Sequence, residues 1–109
     1  MLSLSVIKIG GNLIDSTTEL DHFLGEFAKL SGPKILVHGG GQIATKIGER
    51  LGIVSQYRDG RRITDAETMD LVTMVYAGLI NKKIVARLQS KGCNAWGITG
   101  ADGNLIPAV

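Results

Sequence analysis

Twice in its first half this chain runs a short apolar stretch, rich in β-branched residues, into a cluster of glycines. Residues 4–9 (LSVIKI) lead to Gly10 and Gly11, and residues 34–38 (KILVH) lead to Gly39, Gly40 and Gly41. Each stretch reads as a strand covered on both faces, and each is followed by a helical pattern. Parallel strands cannot be joined by a tight turn and need a crossover of fixed hand, so strand, helix, strand, helix in that order points to one architecture. The expected fold is α/β, an open, mostly parallel sheet sandwiched by helices.

Local signals place the remaining elements. Ser16 and Glu19 form a capping box ahead of Leu20, Phe23, Leu24, Phe27 and Leu30 at helical spacing, and Gly32-Pro33 stops that run. Ile43, Ala44, Ile47 and Leu51 mark a second helix closed by Gly52. Between residues 53 and 64, Asp59-Gly60 separates two short β-like runs and predicts a projecting hairpin. Thr64 and Glu67 form another capping box and open a long helical region over residues 65–90, kinked or divided near Gly78 and ended by Gly92. NAWGITG (94–100) reads as a third buried strand, ADGN (101–104) as a turn, and LIPAV (105–109) as an edge strand that tolerates Pro107. No repeat or linker interrupts the chain, and 109 residues suit one domain.

Composition narrows the partners. The net charge of +2 is scattered and only 5% of residues are aromatic, which argues against a nucleic-acid interface. The longest mostly apolar stretch, residues 71–80, is too short to span a bilayer, and the first residues carry no basic leader pattern. A soluble cytoplasmic protein without membrane association is expected. Cys93 is the single cysteine, expected to be a buried inert thiol, and no cysteine or histidine cluster has metal-ligand spacing.

In an open parallel sheet ligands bind beyond the carboxyl ends of the strands, where both glycine turns must fall. Glycine lets main-chain N–H groups approach an oxyanion closely, and the helix N-termini that follow add partial positive charge. Gly10, Gly11, Gly40 and Gly41 therefore read as a divided phosphate cradle. Lys8, near the end of the first strand, supplies the point charge that phosphoryl transfer needs between two negative reactants. Either turn alone is compatible with a plain strand-to-helix connection and a lysine reaching solvent. Two turns in register, with a lysine interrupting a buried strand, favour function.

The cradle is not a P-loop, since no G-x-x-x-x-G-K-[ST] occurs. Gly39, Gly41 and Ala44 fit the dinucleotide fingerprint G-x-G-x-x-A, but the acidic residue about twenty positions on is Asp59, inside the predicted hairpin turn. The hairpin also carries Arg61 and Arg62. Alternation along a strand lets at most one of them face the crevice, where a guanidinium suits bidentate capture of a carboxylate. His22 and His38 are read as structural, because no pairing residue singles either out for acid-base work.

Taken in order, KIGGN, HGGGQIATKIGERLG, DGRRITDAETMD, AGLINKKIVARL and GITGADGNLI resemble the N-terminal half of the acetylglutamate kinases, a branch of the amino acid kinase family, over residues 6–106. The resemblance implies an open α/β sandwich binding an acyl amino acid in its N-terminal half and ATP, accompanied by Mg2+, mainly in its C-terminal half. It implies phosphorylation of the side-chain carboxylate of N-acetyl-L-glutamate to an acyl phosphate, in arginine biosynthesis, by a homo-oligomer. Carried over, Lys8 stabilises the transferring phosphoryl group, with Gly10 and Gly11 as backbone donors beside it. Gly40 and Gly41 bind substrate, and Arg62 grips its α-carboxylate. Residues 1–109 would then be the acyl-amino-acid-binding half of such a domain, without its ATP-binding half, and turnover by these residues alone is not expected.

Two residues depart from the family pattern. Gln42 stands where proline is common, and Arg61 where a neutral apolar residue is common. The extra cation at Arg61 makes N-succinylglutamate an alternative substrate. Two other classes remain: a non-catalytic ligand-binding or assembly module that packs the helical region 65–90 on a partner, and a dinucleotide-binding module.

Overall fold

The structure, a computed structural model, describes residues 3–54 and 56–109. Strands β1 (Ser5–Ile9) and β2 (Lys34–His38) pair in parallel, with Lys8 opposite Val37 and Ile9 opposite His38. Both glycine turns therefore leave the sheet at the same end. A short helix α1 (Gly11–Asp15), not expected from the sequence, fills the space between β1 and the first capping box. Helix α2 (Thr17–Lys29) starts where expected, with Glu19 N donating to Ser16 Oγ at 3.4 Å. Its far end is tied to β2. Lys34 Nζ donates to the carbonyls of Phe27, Ala28 and Leu30 at the helix end, the first of which also accepts from Leu30 N at 3.1 Å.

Helix α3 (Ile43–Arg50) closes as a Schellman motif, with Gly52 at φ +75° and Ile53 N donating to Gly48 O at 2.7 Å. Gly48 also lets α3 approach Leu71 closely, since a Cβ there would stand 2.7 Å from Leu71 Cδ2. Strands β3 (Gln56–Arg58) and β4 (Arg61–Ile63) form the expected hairpin. Its turn residues, Asp59 and Gly60, both have positive φ, 53° and 76°, as a type I′ turn requires. Ser55, in the first of the two predicted β-like runs, lies outside the described residues.

Helix α4 (Ala66–Val72) is capped by Asp65, not by Thr64: Asp65 Oδ1 accepts from Thr68 N at 2.8 Å. The cap thus shifts by one residue and engages the Thr68 amide instead of that of Glu67, and the carboxylate adds a charge that favours a helix N-terminus. The predicted division near Gly78 takes the form of a π-helical segment, Thr73–Ile80, leading straight into α5 (Asn81–Ser90). Thr73 Oγ1 donates back to Met69 O at 2.8 Å where the segment begins.

Ile9, Ile14, Leu20, Leu24, Phe27, Ile80, Ile84 and Leu88 form one core, against which Ile7 and Leu36 also pack. The other face of the sheet is open, with Val6, Ile35 and Val37 61%, 48% and 43% exposed. The strands expected to be covered on both faces are covered on one. Two further strands were expected and are not formed. Residues 93–99 run alongside α5, where Gln89 Nε2 and Lys82 Nζ donate to the carbonyls of Ala95 and Gly97. With those carbonyls engaged by side chains, the run makes no ladder with β2, and a groove of about 820 Å³ is lined by both. Residues 105–109 make no edge strand, because Ile106 N donates back to Gly100 O at 3.0 Å after a 3₁₀ turn at Asp102–Asn104. The α/β class stands, with a parallel pair in place of a larger sheet. Among the described residues no helix is long and apolar enough to cross a membrane.

Candidate active site

The two glycine turns touch. A Cβ on Gly11 would stand 3.0 Å from Gly41 Cα, and one on Gly41 would stand 2.8 Å from Gly11 O and collide with the Asp15 carboxylate. Gly41 is also left-handed, at φ +55°, where a side chain is strained. Gly40 is buried, and the ring of Tyr76 occupies the place of its missing Cβ. Gly10 and Gly39 have open space around them, so close packing does not demand glycine there.

Asp15, at the end of α1, reaches across to the second turn. Its oxygens accept from Gln42 N at 3.0 and 3.3 Å, which satisfies one orphan donor ahead of α3. Gly40 O accepts from Ile43 N at 3.3 Å, while among the described residues no acceptor is found for the N–H groups of Gly40 and Gly41. Gly11 opens α1, so its N–H is one of the first-turn donors without a helical partner. The turns thus place unpaired main-chain donors side by side.

Lys8 lies on the open face of β1, exposed, and among the described residues its ammonium has no hydrogen-bond or ion-pair partner. Arg62 is half-buried and donates from Nη2 to Thr45 Oγ1 at 2.9 Å, with its guanidinium 5.6 Å from the Tyr57 ring centroid. Tyr57 OH lies 3.3 Å from the same Thr45 hydroxyl. Thr45 belongs to the first turn of α3, directly after the second glycine turn, so the hairpin delivers Arg62 to the cradle's end of the molecule. Arg61 is exposed, as the alternation requires. All the residues expected at the site, Lys8, Gly10, Gly11, Gly40, Gly41 and Arg62, therefore lie at or next to the carboxyl ends of the parallel pair.

Three contributors escaped the sequence. Asp15 bridges the turns, Tyr76 backs Gly40, and Asn81 Nδ2 sits 3.1 Å from His38 Nε2, so His38 has a partner after all. The one hint was Asn81, a polar residue buried where an apolar helix face continues. Cys93 is half-buried and free. Asp59, needed as the ribose partner in a dinucleotide site, is exposed in the hairpin turn. Among the described residues no three His, Cys, Asp or Glu side chains gather as metal ligands. The carboxyls held below the ordinary range lie elsewhere. Asp65 is lowered by hydrogen bonds from the Thr68 hydroxyl and then the Thr68 amide, and Asp102 by those from the Thr99 amide and then the Thr99 hydroxyl.

Known proteins resemble this chain in sequence and in fold. An acetylglutamate kinase of Cytophaga hutchinsonii is 61% identical over 106 residues, covering 97% of this chain and 40% of that protein. One of Bacteroides thetaiotaomicron is 58% identical over 106 residues, covering 97% of this chain and 41% of that protein. The chain thus spans about 40% of the length of the curated relatives it matches. The crystal structure of smu.665 from Streptococcus mutans superposes with a TM-score of 0.61 at 26% identity, over 82% of this chain and 37% of that one. The sequence pattern of the amino acid kinase family matches residues 3–109, and the chain belongs to that family.

Proposed function

We propose that these residues form the acyl-amino-acid-binding side of an acetylglutamate kinase. The reading is carried by the contact between Gly11 and Gly41, which sets the two turns side by side at the carboxyl end of β1 and β2. The N–H groups of Gly40 and Gly41 hold the side-chain carboxylate of N-acetyl-L-glutamate, and Arg62 its α-carboxylate. A carboxylate oxygen attacks the γ-phosphorus of ATP, the bond from that phosphorus to the ADP oxygen breaks, and acyl phosphate and ADP result. Lys8 and the N–H groups of Gly10 and Gly11 offset the charge that builds on the phosphoryl oxygens. Such chemistry asks for positioning and charge neutralisation and no protein nucleophile.

In this reading ATP is held mainly by the part of the relatives that this chain does not span. Mg2+ would travel with the nucleotide phosphates. Among the described residues no three His, Cys, Asp or Glu side chains gather to hold it. The assembly is proposed to be a homo-oligomer, and the open positions of Met69 and Met74 on the long helix leave apolar surface for it. Sedimentation velocity tests that part.

Calorimetry tests the rest. N-acetyl-L-glutamate is expected to bind the 109-residue chain, ATP to bind poorly, and a hydroxamate assay to find no ATP-dependent acyl phosphate. A chain that binds neither ligand would instead be an assembly module, and one that quenches or enhances NADH fluorescence a dinucleotide module.

A further inference from the structure

A single polar chain holds the second glycine turn from behind. Asn81, buried at the start of α5, donates from Nδ2 to His38 Nε2 at 3.1 Å, and its Oδ1 accepts from Lys82 Nζ at 3.0 Å. Lys82 Nζ donates again to Gly97 O at 2.8 Å, and His38 Nδ1 lies 2.9 Å from Gly39 O. An ammonium can only donate, so Lys82 fixes the amide of Asn81 with its oxygen toward the lysine and its NH2 toward His38. Nε2 must then accept. Nδ1 must carry the proton and donate to Gly39 O. The neutral Nδ1–H tautomer is the arrangement that satisfies every one of these contacts. Gly97 shows the same closeness, since Asn81 Oδ1 occupies the place a Cβ would take there.

The carbonyl of Gly39 and the N–H of Gly40 belong to one planar trans peptide, so they point in opposite directions. Between two glycines that plane has little intrinsic preference and would turn over freely. Holding Gly39 O against the imidazole aims Gly40 N–H away from it, and among the described residues that N–H finds no acceptor. Tyr76, from the π segment, supports Gly40 itself.

We propose that Asn81 is a positioning residue for the anion cradle, acting through His38 to lock the orientation of the Gly39–Gly40 peptide. Asn81 touches no substrate in this scheme. The proposal rests on the functional reading above only for the identity of the ligand that the aimed N–H groups receive.

A ¹⁵N-labelled chain tests it in two arms. Without ligand, long-range ¹H–¹⁵N spectra are expected to show His38 protonated at Nδ1 and bare at Nε2; the opposite tautomer overturns the proposal. Asn81→Asp keeps the side chain's shape but cannot donate to Nε2, so the Nδ1–H tautomer loses its partner and the Gly40 and Gly41 amide resonances move. N-acetyl-L-glutamate binding should weaken about tenfold, as for one lost hydrogen bond, with the far-UV spectrum unchanged. Lys82→Met leaves Asn81 in place but frees its amide to turn over, and gives a smaller shift of the same resonances. This variant decides the matter if Asn81→Asp does not fold. Gly40 resonances unmoved by Lys82→Met contradict the proposal. If ring and glycine resonances respond as expected while N-acetyl-L-glutamate perturbs nothing, the lock stands and the ligand assignment falls.

Discussion

The carboxylate of Asp15 accepts a hydrogen bond from the main-chain nitrogen of Gln42 at 3.0 Å, joining the helix after the first glycine turn to the start of the helix after the second. The bond acts as an N-cap supplied from 27 residues away. Asp15→Ala should cost about 1 kcal/mol, the usual worth of a cap, read as a lower urea midpoint at unchanged slope. Gly41→Ala should cost more, because its methyl group both displaces Asp15 and strains a left-handed residue.

Gly40 and Tyr76 are coupled by volume. Gly40→Ala forces a methyl group into the space of the Tyr76 ring and should cost about 1–3 kcal/mol by overpacking. In Tyr76→Ala the same glycine substitution should be nearly free. A double-mutant cycle from urea denaturation reads the difference, and additive effects would mean that the ring does not back the turn.

The two arginines of β4 should differ. Arg62→Ala is expected to weaken N-acetyl-L-glutamate binding by about tenfold or more, the worth of a charge-assisted bond, and Arg62→Lys to recover only part of it. Arg61 is exposed, so Arg61→Ala should leave that affinity unchanged. Calorimetry with N-acetyl- and N-succinylglutamate also tests the acyl group. Arg61→Ala weakening only the succinyl compound would favour the longer acid.

Asp65 gives a pH signature with a definite sign. Its carboxyl is lowered from the ordinary 3.8 by hydrogen bonds from Thr68, so its contribution is fully present above that value and is lost as pH falls through the depressed one. Thermal midpoints should therefore not vary with pH through Asp65 near neutrality and should fall in acid. Asp65→Asn, which keeps an acceptor for the Thr68 amide, should flatten that part of the acid limb.

Signals confined to a few neighbouring residues were legible: Ser16 with Glu19, the Asp59-Gly60 turn, and the glycines that close α3 and α5. The π segment was not, since Thr73–Ile80 is apolar throughout and carries no period to distinguish one helix type from another. Residues 93–99 alternate inside and outside like a strand, with Trp96 86% exposed, but pairing depends on a distant neighbour's edge, and donors on α5 engage their carbonyls first. The site divides in the same way. Glycines and charged side chains at strand ends could be found along the chain, whereas Asn81 meets His38 across 43 residues and Asp15 meets Gln42 across 27.

That two separate glycine turns form one anion cradle is tested most directly by titrating the ¹⁵N-labelled chain with N-acetyl-L-glutamate and following its main-chain amides. The account predicts that Gly40 and Gly41, which receive the carboxylate, and Gly11, which packs against Gly41, shift together along a single saturating curve. Binding seen by calorimetry while those three amides stay still, or move on unrelated curves, would contradict it.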